Sequence, residues 1–533
     1  FSNADAKGRD ADGILDVFDR FNFTMAEDEP MEREVAIDPE MLGKVFENLL
    51  DVTDRKSKGA FYTPREIVHY MCQESLINYL AGKTGITDED VRKFILYGEY
   101  FRDEDTKKTI FVKGENGAKG HMEFDYEKDM EIPETIFSYK EKVNRLQEID
   151  DLLSNVKVVD LAVGSGAFPL GMLTEIVKVR DTITNYMTID MNGYQRLSCR
   201  SMRNSYRMKR ETIKNSIFAC DIEASATDIT KLRLWLSLVI DNQIMDKEND
   251  EFGYKTKPRE LPNLDCSIIC GNSLMDEFYG IPLITQSAVL GNDQGRQMTT
   301  YDEQIGIMLQ QLIELQSKLY DEKDHVAKDA LKNQIQDIYN DIVMEQLKGN
   351  SEAVDAYYQA LQQPSKPFVL WQLYFPKVFR DNRGFDIVIG NPPYVDSEEM
   401  TKSMPELREA YARMFKCAKG NWDLFVLFIE MGYGLLRKDG VISFIVPNKL
   451  VSAPYTVAIR NLLATGSVQE MRDYSNVNVF KSAAVYPVVF RVQASEAKKP
   501  VTMDVMEDME HVSNHNKVDP EKFYLDIDWD KYF

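Results

Sequence analysis

The chain is poor in the residues from which metal sites and disulfide scaffolds are built. It has six cysteines and five histidines in 533 residues. Only Cys266 and Cys270 lie close together, and no nearby Cys or His completes a zinc set. We therefore expect reduced thiols and no structural metal. Long hydrophobic runs are missing too. The longest apolar stretch, Leu424 to Leu436, is broken by Glu430 and two glycines. A membrane span needs roughly 20 apolar residues, so no membrane association is expected. No secretory signal opens the chain, which points to a cytoplasmic location. Internal repeats and low-complexity tracts are absent. Basic residues are scarce: Lys and Arg total 64 against 87 Asp and Glu, a formal charge of −23. That balance speaks to solubility more than to any one face, so it excludes a nucleic-acid partner only weakly.

What is present is ordinary globular composition, with 44% hydrophobic and 28% charged residues. The length suits about three domains with a large core. Ser2-Asn3-Ala4 resembles the remnant of an expression tag and is left out of fold reasoning. Ile37-Asp38-Pro39-Glu40 predicts a helix start, and Leu42, Val45, Phe46, Leu49 and Leu50 follow at helical spacing. A second helix is expected to open at Pro64, with Thr63 as its cap. Residues 95–135, with a Gly-Glu-Asn-Gly turn, read as a hairpin insertion or a loose loop.

From residue 156 short apolar runs alternate with helical stretches. The runs are Val156–Val163, Ser216–Ile222, Ser267–Cys270, Phe385–Ile389, Val441–Val446 and Val485–Val492. Continuous apolar runs bounded by Gly, Asp, Asn or Pro predict buried parallel strands in an open α/β sheet. Such sheets bind ligands at the carboxyl ends of their strands. Residues 301–348 interrupt the pattern with Leu312, Leu315, Leu319, Leu331, Ile335, Ile338 and Ile342 at helical spacing, a hairpin of two amphipathic helices.

Four polar motifs stand at the predicted strand ends. Asp160-Leu161-Ala162-Val163-Gly164-Ser165-Gly166 is a strand running into a glycine turn, where backbone can approach a ligand closely. It is not a P-loop, because no Gly-Lys-Ser/Thr follows. Asp221 ends the next strand, where a carboxylate suits a ribose diol or caps a helix. Asn272, in Cys270-Gly271-Asn272-Ser273-Leu274, suits an adenine amino group or a plain turn. The most specific motif is Asn391-Pro392-Pro393-Tyr394, after the run ending at Gly390. Each proline locks φ and removes a donor. The Asn391 side-chain oxygen and the Pro392 carbonyl can then accept from one planar amine, while Tyr394 offers a stacking face.

In this order the motifs resemble the gamma arrangement of N6-adenine DNA methyltransferases. The helical region before them, with Ala60-Phe61-Tyr62-Thr63-Pro64, and the helical insertion resemble the methyltransferase region of type IIG restriction-modification enzymes. BREX-type phage-defence methyltransferases are similar in pattern. The resemblance spans about residues 36–495. Two positions depart from it: Leu161, where the family has Pro, and Pro169, where it has an apolar residue. It implies a Rossmann-like class I S-adenosylmethionine-dependent methyltransferase sheet with an N-terminal helical region and a helical-hairpin insertion. The implied layout is residues 1–150 for the N-terminal region, 151–290 and 365–495 for the catalytic domain, 291–364 for the insertion, and 496–533 for the start of a target-recognition region.

The resemblance also implies roles. Tyr62, Thr63, Pro64, Asp160, Gly164 and Gly166 would hold the methionine part of S-adenosyl-L-methionine. Asp221 would take the ribose hydroxyls. Asn272 would face the cofactor adenine, with Leu274 packing nearby. Asn391 and Pro392 would bind the target amine. Tyr394 and Phe480 would stack on the two faces of a flipped base, with Tyr486 the alternative to Phe480. Double-stranded DNA is the implied partner, with a restriction nuclease fused ahead of residue 1 or separate. The one Glu-x-Lys, Glu496-Ala497-Lys498, lacks a partner strand, so no nuclease is expected within these residues. No Pro-Cys dipeptide occurs, which weighs against cytosine-C5 chemistry. Arg196, Arg200, Arg203, Arg207, Arg210 and Lys214 recur at intervals of three and four, which places all six on one helical face as a candidate stripe for DNA phosphates. The rival readings are an RNA or protein-glutamine methyltransferase and a non-catalytic subunit of a defence complex.

Overall fold

The computed structural model describes residues 62–98, 110–113, 119–122, 142–188, 191–251, 261–282, 300–480 and 485–533. The tag-like residues and the helix expected from Ile37 lie outside them, as does the Gly-Glu-Asn-Gly turn.

A nine-stranded sheet organises the molecule. In chain order its strands are β1 Val158–Asp160, β2 Ile217–Asp221, β3 Ile268–Cys270, β4 Phe385–Gly390, β5 Leu436–Pro447, β6 Ser467–Asp473, β7 Pro487–Gln493, β8 Val501–Met506 and β9 Val512–Val518. Their spatial order is β9-β8-β6-β7-β5-β4-β1-β2-β3. The block β3-β2-β1-β4-β5 is wholly parallel, which is the doubly wound order. The chain reverses direction of travel between β1 and β4, so the crevice beyond their carboxyl ends is the switch point. This is the methyltransferase sheet that the resemblance implied.

Five of the six expected strands are parallel; Pro487–Gln493 is not. β7 runs antiparallel to both β5 and β6. A parallel return needs a crossover, usually helical, and the described residues between β6 and β7 hold no helix. Three strands were not anticipated, because β6, β8 and β9 carry charged or polar residues instead of apolar runs. The acidic tail contributes two of them, β8 and β9, to this same sheet.

Alternation along the strands fills two cores. Val158, Ile387 and Ile389 face one, together with Ile67, Met71 and Leu76 of α1 (Arg65–Thr84) and Ile176 of α2 (Ala167–Thr188). Val159 and Val388 face the other, and Phe385 joins them because the register shifts between Phe385 and Ile387. With both faces buried, β4 reads as an apolar run broken only by Asp386. Helices α3 (Gly193–Met202), α4 (Ser205–Ser216) and α5 (Ala224–Glu251) follow α2 in sequence, with β2 between α4 and α5. The insertion is the expected hairpin, α6 (Thr300–Asp321) and α7 (His325–Leu347), followed by α8 (Ser351–Leu361). Leu312, Leu319, Ile335 and Ile342 bury against the second core. Near the N-terminus, Ile110–Lys113 and Lys119–Met122 pair as an antiparallel hairpin, one of the two readings for that segment.

Candidate active site at the switch point

β1 delivers Asp160 and β4 delivers Gly390-Asn391 to the same crevice. Asp160 is 2% exposed. Its Oδ1 accepts from the Ala162 amide at 3.1 Å, and its Oδ2 is buried without a hydrogen-bond partner. Burial pushes this carboxyl up to about 8; the Ala162 bond opposes the shift and the nearby Asp221 charge adds to it. Gly390 is what admits it. A Cβ there would stand 2.7 Å from Asp160 Oδ1, so only glycine lets β4 lie beside this carboxylate.

The glycine turn bends at Gly164 (φ 52°) and Gly166 (φ 85°), and a Cβ on Gly166 would meet Thr230 Oγ1 at 2.9 Å. Asp221, at the end of β2, ties this turn down. Its Oδ2 accepts from the Gly164 amide at 2.8 Å and its Oδ1 from the Glu223 amide at 2.9 Å. Burial raises its pKa against those two bonds.

The N-terminal motif reaches the same place. Thr63 is buried. Its hydroxyl does not cap α1, whose N-cap is Pro64 without a side-chain bond; instead Thr63 Oγ1 accepts from Asn391 Nδ2 at 3.1 Å. The expected cap role is therefore corrected. The hydroxyl is committed across 328 residues of sequence, and the bond assigns the amide nitrogen to Thr63. Pro392 is buried, while Tyr62, Pro64, Pro393 and Tyr394 are half-buried. Tyr394 donates to the Ile445 carbonyl at 3.0 Å.

Phe480 is 3% exposed and meets Tyr394 edge to face, with ring centroids 6.0 Å apart at 77°. The two rings come together as expected, but they are not parallel jaws. Asn272 departs further. Its Oδ1 accepts from the Leu274 amide at 3.1 Å, its Nδ2 donates to Tyr411 at 2.8 Å, and it is buried. Both ends of its amide bond the protein, as the turn reading expects. Leu274 sits in the core beneath.

The basic stripe is also corrected. Asn204 caps a new helix by accepting from the Arg207 amide, so the six residues fall on two helices, α3 and α4, with Arg203 at the break. Asn favours such caps over helix interiors, and helical spacing could not reveal the interruption. Arg203 pairs with buried Asp150 at 2.6 Å. Arg210 and Lys214 both pair with Asp321, at 2.6 and 2.5 Å. Arg200 donates to Asn185. Arg196 and Arg207 are exposed.

Gly390 and the Thr63–Asn391 bond escaped the sequence reading. A glycine closing a buried strand directly before Asn was the available signal for the first. The second joins distant segments and left none. Among the described residues no group of His, Cys, Asp and Glu could hold a metal ion, and no helix is long and apolar enough to cross a membrane.

Residues 215–480 match the family model described as Eco57I restriction-modification methylase. This part of the chain belongs to that family. RM.MjaORFECS2P of Methanocaldococcus jannaschii is 24% identical over 517 residues, covering 89% of this chain and 39% of its own length. The type II restriction enzyme and methyltransferase RM.Eco57I of Escherichia coli is 23% identical over 333 residues, covering 62% of this chain and 24% of its own length. The chain thus spans about two fifths and one quarter of these relatives. The type IIL restriction-modification enzyme MmeI, solved in complex with DNA, aligns with a TM-score of 0.47 and 13% identity over 90% of this chain and 43% of that one.

Proposed function

We propose that the chain is the catalytic part of a site-specific DNA methyltransferase that methylates the N6 amino group of an adenine flipped out of the duplex, within a restriction-modification or phage-defence system. The supporting observation is the meeting of Thr63, Asp160 and Asn391 at the switch point, joined through Gly390. Its partners on this reading are double-stranded DNA and a restriction nuclease, fused or separate.

The residues present fit S-adenosyl-L-methionine. A buried carboxylate oxygen of Asp160 without a protein partner suits a cationic ligand. Gly164 and Gly166 hold the turn at positive φ, a backbone course open to residues without a Cβ. Asp221 accepts from the amides of Gly164, Glu223 and Ile222, and a carboxylate with about four acceptor positions can still take a diol hydroxyl. Asn272 would face the cofactor adenine by exchanging its bond to Tyr411. When bound, the cofactor supplies an electrophilic methyl group on a sulfonium.

The chain's own residues do the rest. With its nitrogen held by Thr63, the Asn391 amide presents its oxygen as an acceptor, and the Pro392 carbonyl adds a second. Two acceptors favour the tetrahedral nitrogen of the transition state over the planar ground-state amine, which is differential binding. Flipping costs a few kcal/mol, and stacking returns about 1–3 kcal/mol per base. Tyr394 provides that face once Phe480 swings from its edge-to-face position.

The test is isothermal titration of the chain with S-adenosyl-L-methionine, followed by tritiated methyl transfer to duplex DNA and nucleoside mass spectrometry. Binding is expected, and Asp221→Ala abolishes it. Asn391→Ala keeps cofactor binding but lowers transfer on the order of 100-fold or more. Methylation confined to RNA or protein, or a labelled cytosine, would overturn the adenine reading. A folded chain that binds no cofactor would overturn the enzyme reading.

A further inference from the structure

A second cavity, of about 320 Å³, opens at the other edge of the sheet. Its floor is the amino ends of the parallel strands: Lys157 directly precedes β1, Asn215 lies just before β2, and Ser267 precedes β3. Its far wall is α6 of the insertion, through Ile313, Ser317 and Tyr320, and the segment Tyr374–Val378 closes it. The size lies within the range of small-molecule sites. It stands at the opposite ends of the strands from the switch-point crevice and shares none of its residues.

The lining combines aromatic rings with cations. Phe218 and Phe375 meet edge to face at 5.2 Å and line it with Tyr320 and Tyr374. Lys157, Lys214 and Lys377 contribute three positive charges against one acid, Glu314. Lys214 is paired with Asp321. Lys157 is not paired: it is 9% exposed, donates from Nζ to the Asn215 carbonyl, and makes no ion pair among the described residues. The carboxylates that act on it from nearby are taken, Asp386 by Arg437 and Asp381 by Arg380. Lysine is almost never buried without an anion. Burial, followed by repulsion from Lys377, lowers its pKa to about 8, the behaviour of a cation missing its counter-charge. In a chain of net charge −23 this concentration of positive charge facing a cavity is local and specific.

We propose that this cavity is a second small-molecule site, separate from the switch-point crevice, that takes a planar aromatic anion, its ring against Phe218, Tyr320 and Phe375 and its anionic group at Lys157 and Lys377. A carboxylate or a monophosphate would satisfy the same chemistry.

Two probes separate those sources: indole-3-acetate and adenosine 5′-monophosphate, each titrated calorimetrically into the chain with and without saturating S-adenosylhomocysteine. At least one is expected to bind in both conditions, and the tighter one names the anion. Indole-3-acetamide, the neutral counterpart of the first probe, is expected to bind about tenfold more weakly than the acetate if the carboxylate is the preferred anion. Lys157→Met tests the buried ammonium directly. Because that variant alters a buried position, two exposed substitutions carry the test independently: Lys377→Glu reverses the charge at the rim and Ser317→Trp fills the mouth. Each is expected to weaken the preferred probe by about tenfold or more. The proposal is overturned if neither probe binds, if S-adenosylhomocysteine displaces both, or if Lys377→Glu and Ser317→Trp leave the affinity unchanged.

Discussion

Two groups of buried carboxylates around the sheet are treated in opposite ways. At the switch point Asp160 and Asp221 have no ion pair among the described residues; they are held by backbone amides, and one Asp160 oxygen has no hydrogen bond there. At the antiparallel end every buried acid meets an arginine or histidine. Glu74 of α1 pairs with Arg491 at 2.6 Å and with Arg92. Glu470 pairs with Arg472 at 3.0 Å and Arg491 at 3.4 Å. Asp504 pairs with Arg472 at 3.2 Å and His515 at 2.7 Å. The far cluster neutralises itself and ties α1 to β6, β7, β8 and β9. The near pair stays uncompensated, as a site awaiting a cation would.

The largest expected effect comes from breaking the compensated side. Arg491→Met leaves Glu74 and Glu470 each short of a buried partner, and should cost about 3–5 kcal/mol in urea unfolding. Replacing Glu74 by Leu in the same chain should recover part of that loss. A cost below about 1 kcal/mol would show that water already screens the cluster and would dissolve the contrast between the two regions.

The two regions also predict opposite pH dependence. Burial acts to raise Glu74, but Arg491 and Arg92 outweigh it and hold the carboxyl below its usual value. Its contribution is therefore present at neutral pH and lost as pH falls through the lowered pKa. Asp160 is raised to about 8. The folded chain then binds a proton that the unfolded chain releases near 4, so stability falls as pH rises from about 5 to 8, by at most about 1.4 kcal/mol per pH unit. Asp160→Asn should flatten that decline in thermal melts of the cofactor-free chain while leaving the acid limb intact. An unchanged slope would place the titration elsewhere.

The contrast explains what could be read in advance. β1 to β5 were legible because burial on both faces writes largely apolar runs, and the polar motif residues stand at their ends. Asp160, Asp221, Asn391 and Tyr394 were found that way. β6 and β8 were invisible because Glu470, Arg472 and Asp504 look like surface residues until their partners, brought from other strands, are known. The arginine stripe failed for the converse reason. Its spacing is helical, but Asn204 restarts the helix and Asp150 and Asp321 absorb the charge, both long-range facts.

A gentler change probes how tightly the near region is built. Gly390→Ala places a methyl group 2.7 Å from Asp160 Oδ1. Overpacking of this kind costs about 1–3 kcal/mol. Because the displaced group is the uncompensated carboxylate, cofactor affinity measured calorimetrically should fall along with stability. A variant that melts lower yet binds S-adenosyl-L-methionine as tightly as the parent would separate Asp160 from the cofactor site.

The smallest effect is expected outside both regions. Asp321 is exposed on the insertion; burial is the largest single effect and raises its carboxyl, but Lys214 and Arg210 together outweigh it and hold the group below the usual carboxylate range. Exposed pairs contribute about 0–1 kcal/mol, so Asp321→Asn should shift the urea midpoint little. The same variant frees two cations of the stripe. If those cations face DNA phosphates, freeing them should tighten duplex binding and steepen its salt dependence by up to about two units in the slope. We expect the slope to stay as it is, because Arg203 turns inward to Asp150 and the stripe is split between α3 and α4. A steeper slope would restore the stripe as a phosphate surface gated by Asp321, and would make the insertion, which supplies that carboxylate, part of the DNA interface.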